Sequence, residues 1–138
     1  KKDDSLNNLK AHAFLDSKNE DDLKVNAGTF DFLLCTVSAK YDPSLYLNLL
    51  TPNGKFIVVG APPEPLPVSA MSLLFKRQTI AGSLIGGIQE TQEMLDFCGR
   101  HNITCDIEMI GADKIDEAYD RTVAADVKYR FVIDTATF

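Results

Sequence analysis

The chain has 138 residues and a formal net charge of −6, from 14 Lys and Arg against 20 Asp and Glu. Its 45% hydrophobic and 25% charged residues are typical of a packed domain and exclude collagen-like, low-complexity and disordered chains. An acidic chain repels phosphate backbones and acidic headgroups, so we expect no nucleic-acid partner and no membrane partner. No apolar run reaches the roughly 20 residues of a membrane helix, and neither a signal peptide nor a disulfide-like cysteine spacing is present, which predicts a cytoplasmic protein.

The first two thirds of the sequence predict a parallel α/β sheet. Two apolar runs, at residues 30–37 and 55–60, are rich in β-branched and aromatic residues and predict strands buried on both faces. Asp42 followed by Pro43 predicts the start of a helix between them, and Asn53 with Gly54 predicts its end. In chain order, the expected elements are the end of a helix at 2–9, a strand at 12–16, the strand at 30–37, the helix after Asp42, the strand at 55–60, a helix at 69–77 and a strand at 79–85.

The remainder of the chain predicts a different pattern. Residues 90–100 predict a helix with acidic residues in its first turn and with Met94, Leu95 and Cys98 facing inward. A short strand at 107–110, a helix opened by Asp113 and an alternating strand at 128–133 follow. We therefore predict two domains, 1–104 and 105–138.

Two candidate ligand contacts lie where predicted strands end, because ligands of open α/β sheets bind beyond the carboxyl ends of the strands. Thr36 lies at the end of the strand at 30–37, and its spacing favours a role in capping the loop over contact with a cofactor. Gly60 ends the next strand, where the absence of a side chain allows close approach of a ligand, although a sharp turn explains it as well.

A third candidate is the glycine-containing segment at 81–87. It lacks the G-x-G-x-x-G order and the lysine of a phosphate loop. Backbone contact with a flat ligand and close backbone packing at a sheet edge or subunit interface remain equal alternatives.

The other candidates favour ordinary structural roles. Cys98, His101 and Cys105 offer three soft ligands, but a closed structural zinc site needs four, and a cysteine on an apolar helix face is usually a small buried hydrophobe. Lys1 and Lys2 are read from the sequence alone as surface lysines of a terminus. No catalytic motif is present, so we predict no catalytic residue and no metal ligand in this chain.

Three segments nevertheless resemble one enzyme family. AGSLIGG at 81–87, ETQEMLDFC at 90–98 and DVKYRFVID at 126–134 resemble the cinnamyl alcohol dehydrogenase branch of the zinc-dependent medium-chain dehydrogenases, in the right order and spacing. The resemblance implies the C-terminal half of a Rossmann-type NADP-binding domain at 1–104. It also implies the returning C-terminal segment of a GroES-like catalytic domain at 105–138.

The resemblance also implies cofactor contacts. Lys1, with Lys2 beside it, falls on a lysine that binds the 2′-phosphate of NADP, and Thr36 and Gly60 fall near the nicotinamide end. The segment that binds the carboxamide through its backbone corresponds to Ser83, Leu84 and Ile85. The zinc ligands and the proton relay of the family have no counterpart among these 138 residues.

The implied activity is interconversion of primary alcohols and aldehydes, of the cinnamyl or aromatic type, by hydride transfer with NADP. A polyol or mannitol dehydrogenase of the same family is one alternative, and a non-catalytic α/β domain acting in association is another. The family pairs subunits through the strand at 79–85, which implies a homodimer and protects a sheet edge. The 138 residues alone are expected to be inactive.

Overall fold

The computed structural model describes all 138 residues, which form two compact units, Lys1–Ile85 and Gly86–Phe138. None of its helices combines the length and the apolar character needed to cross a membrane. After a π-helical turn at Asp4–Asn8, the first unit contains the following helices and strands: α1 (Glu20–Val25), β1 (Phe30–Cys35), α2 (Pro43–Leu47), β2 (Leu50–Val58), α3 (Ala70–Lys76) and β3 (Thr79–Gly82).

The three strands form a parallel sheet in the order β1-β2-β3, which confirms the predicted sheet. Leu33 of β1 lies opposite Phe56 of β2, and Phe56 lies opposite Ile80 of β3. This row faces the core, where Phe56 packs with Leu47 of α2 and Leu73 of α3. One face of the sheet is therefore covered by α2 and α3.

The other face of the sheet is open. Phe32 and Leu34, which alternate with the core residues of β1, are 55% and 57% exposed. The prediction that this strand is buried on both faces was wrong, because α2 and α3 both pack on the same side. The apolar composition of β1 did not distinguish a covered face from an open one.

Several predicted boundaries also differ from the structure. Residues 12–16 form no strand, because the N–H of Asp16 donates to the Asp22 carboxylate at 3.1 Å and its carbonyl accepts from Asn19 at 3.0 Å in a turn. The helix after Asp42 ends at Leu47, since Leu50 already pairs with Phe30 in the sheet. The third strand stops at Gly82 instead of residue 85.

The predicted start of the helix after Asp42 is confirmed, whereas its predicted end at Asn53 and Gly54 is wrong. The Asp42 carboxylate accepts a hydrogen bond from the N–H of Ser44 at 2.9 Å, with Pro43 as the first residue of α2. Asn53 adopts a left-handed φ of 64°, although it lies within the bounds of β2 and does not end a long helix.

The second unit begins with α4 (Ile88–His101) and continues with β4 (Glu108–Ile110), α5 (Ile115–Val123) and β5 (Phe131–Ile133), the two strands pairing in parallel. The helix at 90–100 is confirmed, and the Glu90 carboxylate accepts from the N–H of Gly87 at 3.0 Å. The predicted inward face of this helix is not confirmed. Met94 and Leu95 are 50% and 54% exposed, because no element of this unit covers them. The domain boundary near residue 104 falls inside this unit and remains a prediction.

Candidate functional site

The carboxyl ends of β1 and β2 are held together by backbone hydrogen bonds. The carbonyl oxygen of Cys35, the last residue of β1, accepts from the N–H groups of Val59 at 2.9 Å and Gly60 at 3.1 Å. Thr36, the next residue, is therefore fixed beside Gly60. The structure brings together these two residues that the sequence analysis singled out separately.

The backbone atoms around residue 60 leave no room for a side chain, so the position needs glycine. A Cβ atom at this position would overlap the carbonyl oxygen of Val37 and would lie 2.8 Å from the carbonyl carbon of Thr36. Gly60 does not have a left-handed φ, so close approach of two backbone segments explains the glycine. Its contact with a cofactor remains a prediction.

The segment after β3 continues the same edge of the sheet. The N–H of Ser83 donates to the carbonyl of Val58 at 3.2 Å, and its hydroxyl donates to the carbonyl of Leu84 at 3.3 Å. The Leu84 and Ile85 residues are 90% and 89% exposed, and their N–H groups have no backbone partner. The N–H groups of Leu84 and Ile85 are therefore open to a planar amide, and carboxamide binding by Ser83, Leu84 and Ile85 remains a prediction.

Lys1 and Lys2 line a cleft of the first unit with a volume of about 820 Å³. The two lysines are exposed and take part in none of the ion pairs of the chain. The other residues lining this cleft are Phe14, Leu15, Asp16, Ser17, Lys18, Asn19 and Asp22.

A second cleft of about 270 Å³ runs along β1 and includes Thr36. Leu15 and Ser17 line both clefts, so the region of Lys1 and Lys2 continues to the end of β1. The sequence analysis missed Ser17 and Lys18 as candidates. They follow the segment at 12–16, and the rule on strand ends that selected Thr36 would have selected them also.

Beneath this edge lies a buried hydroxyl. The hydroxyl of Tyr41 has no hydrogen-bond partner, and its ring contacts those of Tyr46 and Phe56 at centroid distances of 5.8 and 6.4 Å. Burial, together with the neighbouring thiol of Cys35, raises the pKa of Tyr41 well above its ordinary value of 10.0. Tyr41 is therefore neutral at physiological pH and packs against the hydrophobic core.

The cysteine and histidine candidates lie in the second unit. The His101 ring stacks against Phe97 with a centroid distance of 4.4 Å, and the Cys98 thiol lies 3.7 Å from the sulfur of Met94. Cys105 is exposed. No group of three or more His, Cys, Asp and Glu side chains is arranged to hold a metal ion.

The family model described as "Zinc-binding dehydrogenase" matches residues 1–100, almost three quarters of the chain. The chain belongs to the zinc-binding dehydrogenase family. This family assignment agrees with the α/β class, the parallel sheet and the resemblance found in the sequence.

Individual family members match nearly the whole chain. It is 54% identical over 136 residues to alcohol dehydrogenase 9 of Catharanthus roseus, covering 99% of this chain and 38% of that protein. Among solved structures, a cinnamyl alcohol dehydrogenase from Sorghum bicolor has a TM-score of 0.93 and 41% identity, covering 98% of this chain and 38% of that one. The CAD from Helicobacter pylori complexed with NADP(H) has a TM-score of 0.66 and 44% identity, covering 77% of this chain and 31% of that one. The chain thus spans about 38% of the length of the relatives it matches.

Proposed function

We propose that the chain is the C-terminal part of an NADP-dependent zinc alcohol dehydrogenase of the cinnamyl alcohol type, which interconverts primary alcohols and aldehydes. The observation that carries the proposal is the continuous edge from the lysine cleft to Thr36, through Leu15 and Ser17. An extended dinucleotide needs such an edge, cationic at one end and offering free backbone groups at the other. The similarity to a CAD complexed with NADP(H) supports the same cofactor here.

The residues of this chain would bind and orient the cofactor. Lys1 and Lys2 would bind the 2′-phosphate, since an ammonium group matches a phosphate as a point charge. Thr36 and Gly60 would border the nicotinamide end.

The backbone of Ser83, Leu84 and Ile85 would hydrogen-bond the carboxamide of the nicotinamide. The exposed side chains of Leu84 and Ile85 would border the pocket for a small alcohol or aldehyde.

The chemistry itself would come from groups that this chain helps to position. When bound, the nicotinamide would exchange a hydride with the carbonyl carbon, and zinc would polarise the substrate oxygen. The exposed N–H groups of Leu84 and Ile85 and the cationic cleft fit the cofactor. Zinc would be held by residues other than these 138.

The quaternary structure and compartment are also part of the proposal. β3 is an edge strand of its sheet, and pairing residues 79–85 with a second copy would protect that edge in a homodimer. The three cysteines are free, which is compatible with a cytoplasmic protein.

The proposal is tested by Lys1→Ala in the protein at its natural length. We expect the KM for NADPH to rise several-fold while that for NADH changes little, because only NADPH carries the 2′-phosphate. The readout is steady-state reduction of an aromatic aldehyde such as cinnamaldehyde. Lys114→Ala is a matched control, since it removes one lysine from the other unit, where Lys114 pairs with Glu117 at 3.3 Å.

Two outcomes would contradict the proposal. Absence of aldehyde reduction by a correctly folded, zinc-loaded wild type would reject the activity and favour a role in association. Equal rises in KM for NADPH and NADH in the Lys1→Ala variant would remove Lys1 from the 2′-phosphate site.

A further inference from the structure

A third lysine, Lys18, lines the cleft of Lys1 and Lys2. It is exposed, and none of the ion pairs of the chain includes it. Lys18 is 16 positions from Lys2 in the sequence, so the fold, and not chain proximity, places the three lysines around one cleft. The sequence analysis and the family resemblance gave it no role.

The turn that carries Lys18 is held by its own hydrogen bonds. The carboxylate of Asp16 accepts from the N–H of Lys18 at 2.9 Å, and the carbonyl of Asp16 accepts from the N–H of Asn19 at 3.0 Å. The Asp22 carboxylate in turn accepts from the N–H of Asp16 at 3.1 Å. The backbone of Lys18 is therefore fixed on the wall of the cleft.

The charged side chains that line the cleft decide its local electrostatics. The two carboxylates that line the cleft, Asp16 and Asp22, each accept from a backbone N–H, whereas the three ammonium groups are not paired. Three lysines against two aspartates, 3 − 2, give the lining a formal charge of +1 on a chain whose net charge is −6. An anion with several oxygen acceptors is the ligand that such a group of lysines attracts.

We infer that Lys18, which lines the same cleft as Lys1 and Lys2, also binds the 2′-phosphate of the nucleotide and thereby contributes to the choice of NADP over NAD. This inference rests on the proposed function and adds a selectivity residue to it. Ser17 connects the same wall to the Thr36 cleft, so a phosphate at Lys18 belongs to a ligand that extends along the sheet edge.

The test compares adenosine 2′,5′-bisphosphate with AMP by titration calorimetry, using the protein at its natural length. Lys18→Ala is expected to raise the Kd for the bisphosphate about two- to fivefold, the effect of one exposed charge pair, with little change for AMP. Lys18→Arg is expected to restore the affinity, because it restores the charge. Lys24→Ala is the matched control: Lys24 lies on the neighbouring α1 and pairs with Glu20 at 3.5 Å.

Each outcome bears on the inference. Equal weakening of the bisphosphate and AMP, or no change for either ligand, would overturn the role of Lys18. Loss of selectivity in Lys1→Ala but not in Lys18→Ala would overturn the inference while the proposed function stands. A wild type that binds AMP and the bisphosphate equally, or inorganic phosphate as tightly as the bisphosphate, would overturn the 2′-phosphate site itself.

Discussion

Gly60 shows how a single residue can shape this edge of the sheet. Gly60→Ala would place a methyl group against the Val37 carbonyl and the Thr36 backbone, so the two strand ends must separate. We expect the free energy of unfolding to fall by about 1–3 kcal/mol, as for overpacked sites. The KM for the nicotinamide cofactor should rise as well, because Thr36 moves.

The control for this substitution is Gly99→Ala. Gly99 lies inside α4, and a Cβ there meets no atom within 4 Å. Alanine has the higher helix propensity, so this variant should be stabilised by about 0.5–1 kcal/mol. Urea denaturation at constant m-value measures both changes. Equal effects of the two substitutions would show that crowding at Gly60 is not decisive.

The Glu108 carboxylate is held by two hydrogen bonds in the second unit. Its carboxylate accepts from the N–H of Lys128 at 2.9 Å and from the guanidinium of Arg121 at 2.7 Å. These bonds, that of Lys128 first, hold the pKa of Glu108 below its ordinary value of 4.5. Arg121 also contacts Asp126 at 3.1 Å and lies 4.8 Å from the centre of the Phe131 ring.

The lowered pKa gives a pH-dependent prediction for Glu108→Gln. A carboxyl group that binds its proton less readily in the folded state contributes stability above its unfolded pKa, and this contribution is lost as the pH falls through the folded pKa. The wild type should therefore melt above the variant at pH 7, and the two melting curves should converge in acid. Glu117→Gln breaks only an exposed pair with Lys114 and should differ little from the wild type at any pH. A difference between wild type and Glu108→Gln that does not change with pH would contradict the role of its charge.

At the scale of the elements, local chemistry was predictable from the sequence. Asp42 and Pro43 begin α2 through one side-chain hydrogen bond and one fixed φ, and Glu90 caps α4 through a contact three residues away. These interactions join near neighbours in the chain, so the sequence alone contains the information. The parallel direction of the three strands followed from the alternation of strands and helices.

Features that depend on contacts between segments distant in the sequence were not predictable. Residues 12–16 have the composition of a strand, but a strand also needs a neighbour, and the backbone of Asp16 bonds within a turn instead. The leucines after Asp42 suit a helix, yet Leu50 pairs with Phe30 in the sheet. The cleft of Lys1, Lys2 and Lys18 was missed for the same reason, since it is formed by segments that are separated in the sequence.

At the scale of the whole molecule, the open face of the sheet is the main departure from a closed α/β domain. Phe32 and Leu34 are more than half exposed on it, while the opposite face is packed. Apolar surface of this kind favours association. The chain spans about 38% of the length of its relatives. A prediction about this open face therefore applies to the 138 residues produced alone.

The 138 residues produced alone are expected to self-associate through the open face of the sheet. Burying Phe32 and Leu34 against a second copy removes apolar surface from water. The double variant Phe32→Lys with Leu34→Lys should shift the mass measured by light scattering on a size-exclusion column towards the 15.2 kDa of a single chain. Val25→Lys, at a position that is 80% exposed on α1, should leave the association unchanged. A wild-type chain that elutes as a stable monomer would show that the open face does not drive association, and equal effects of both variants would assign any change to net charge instead of to this face.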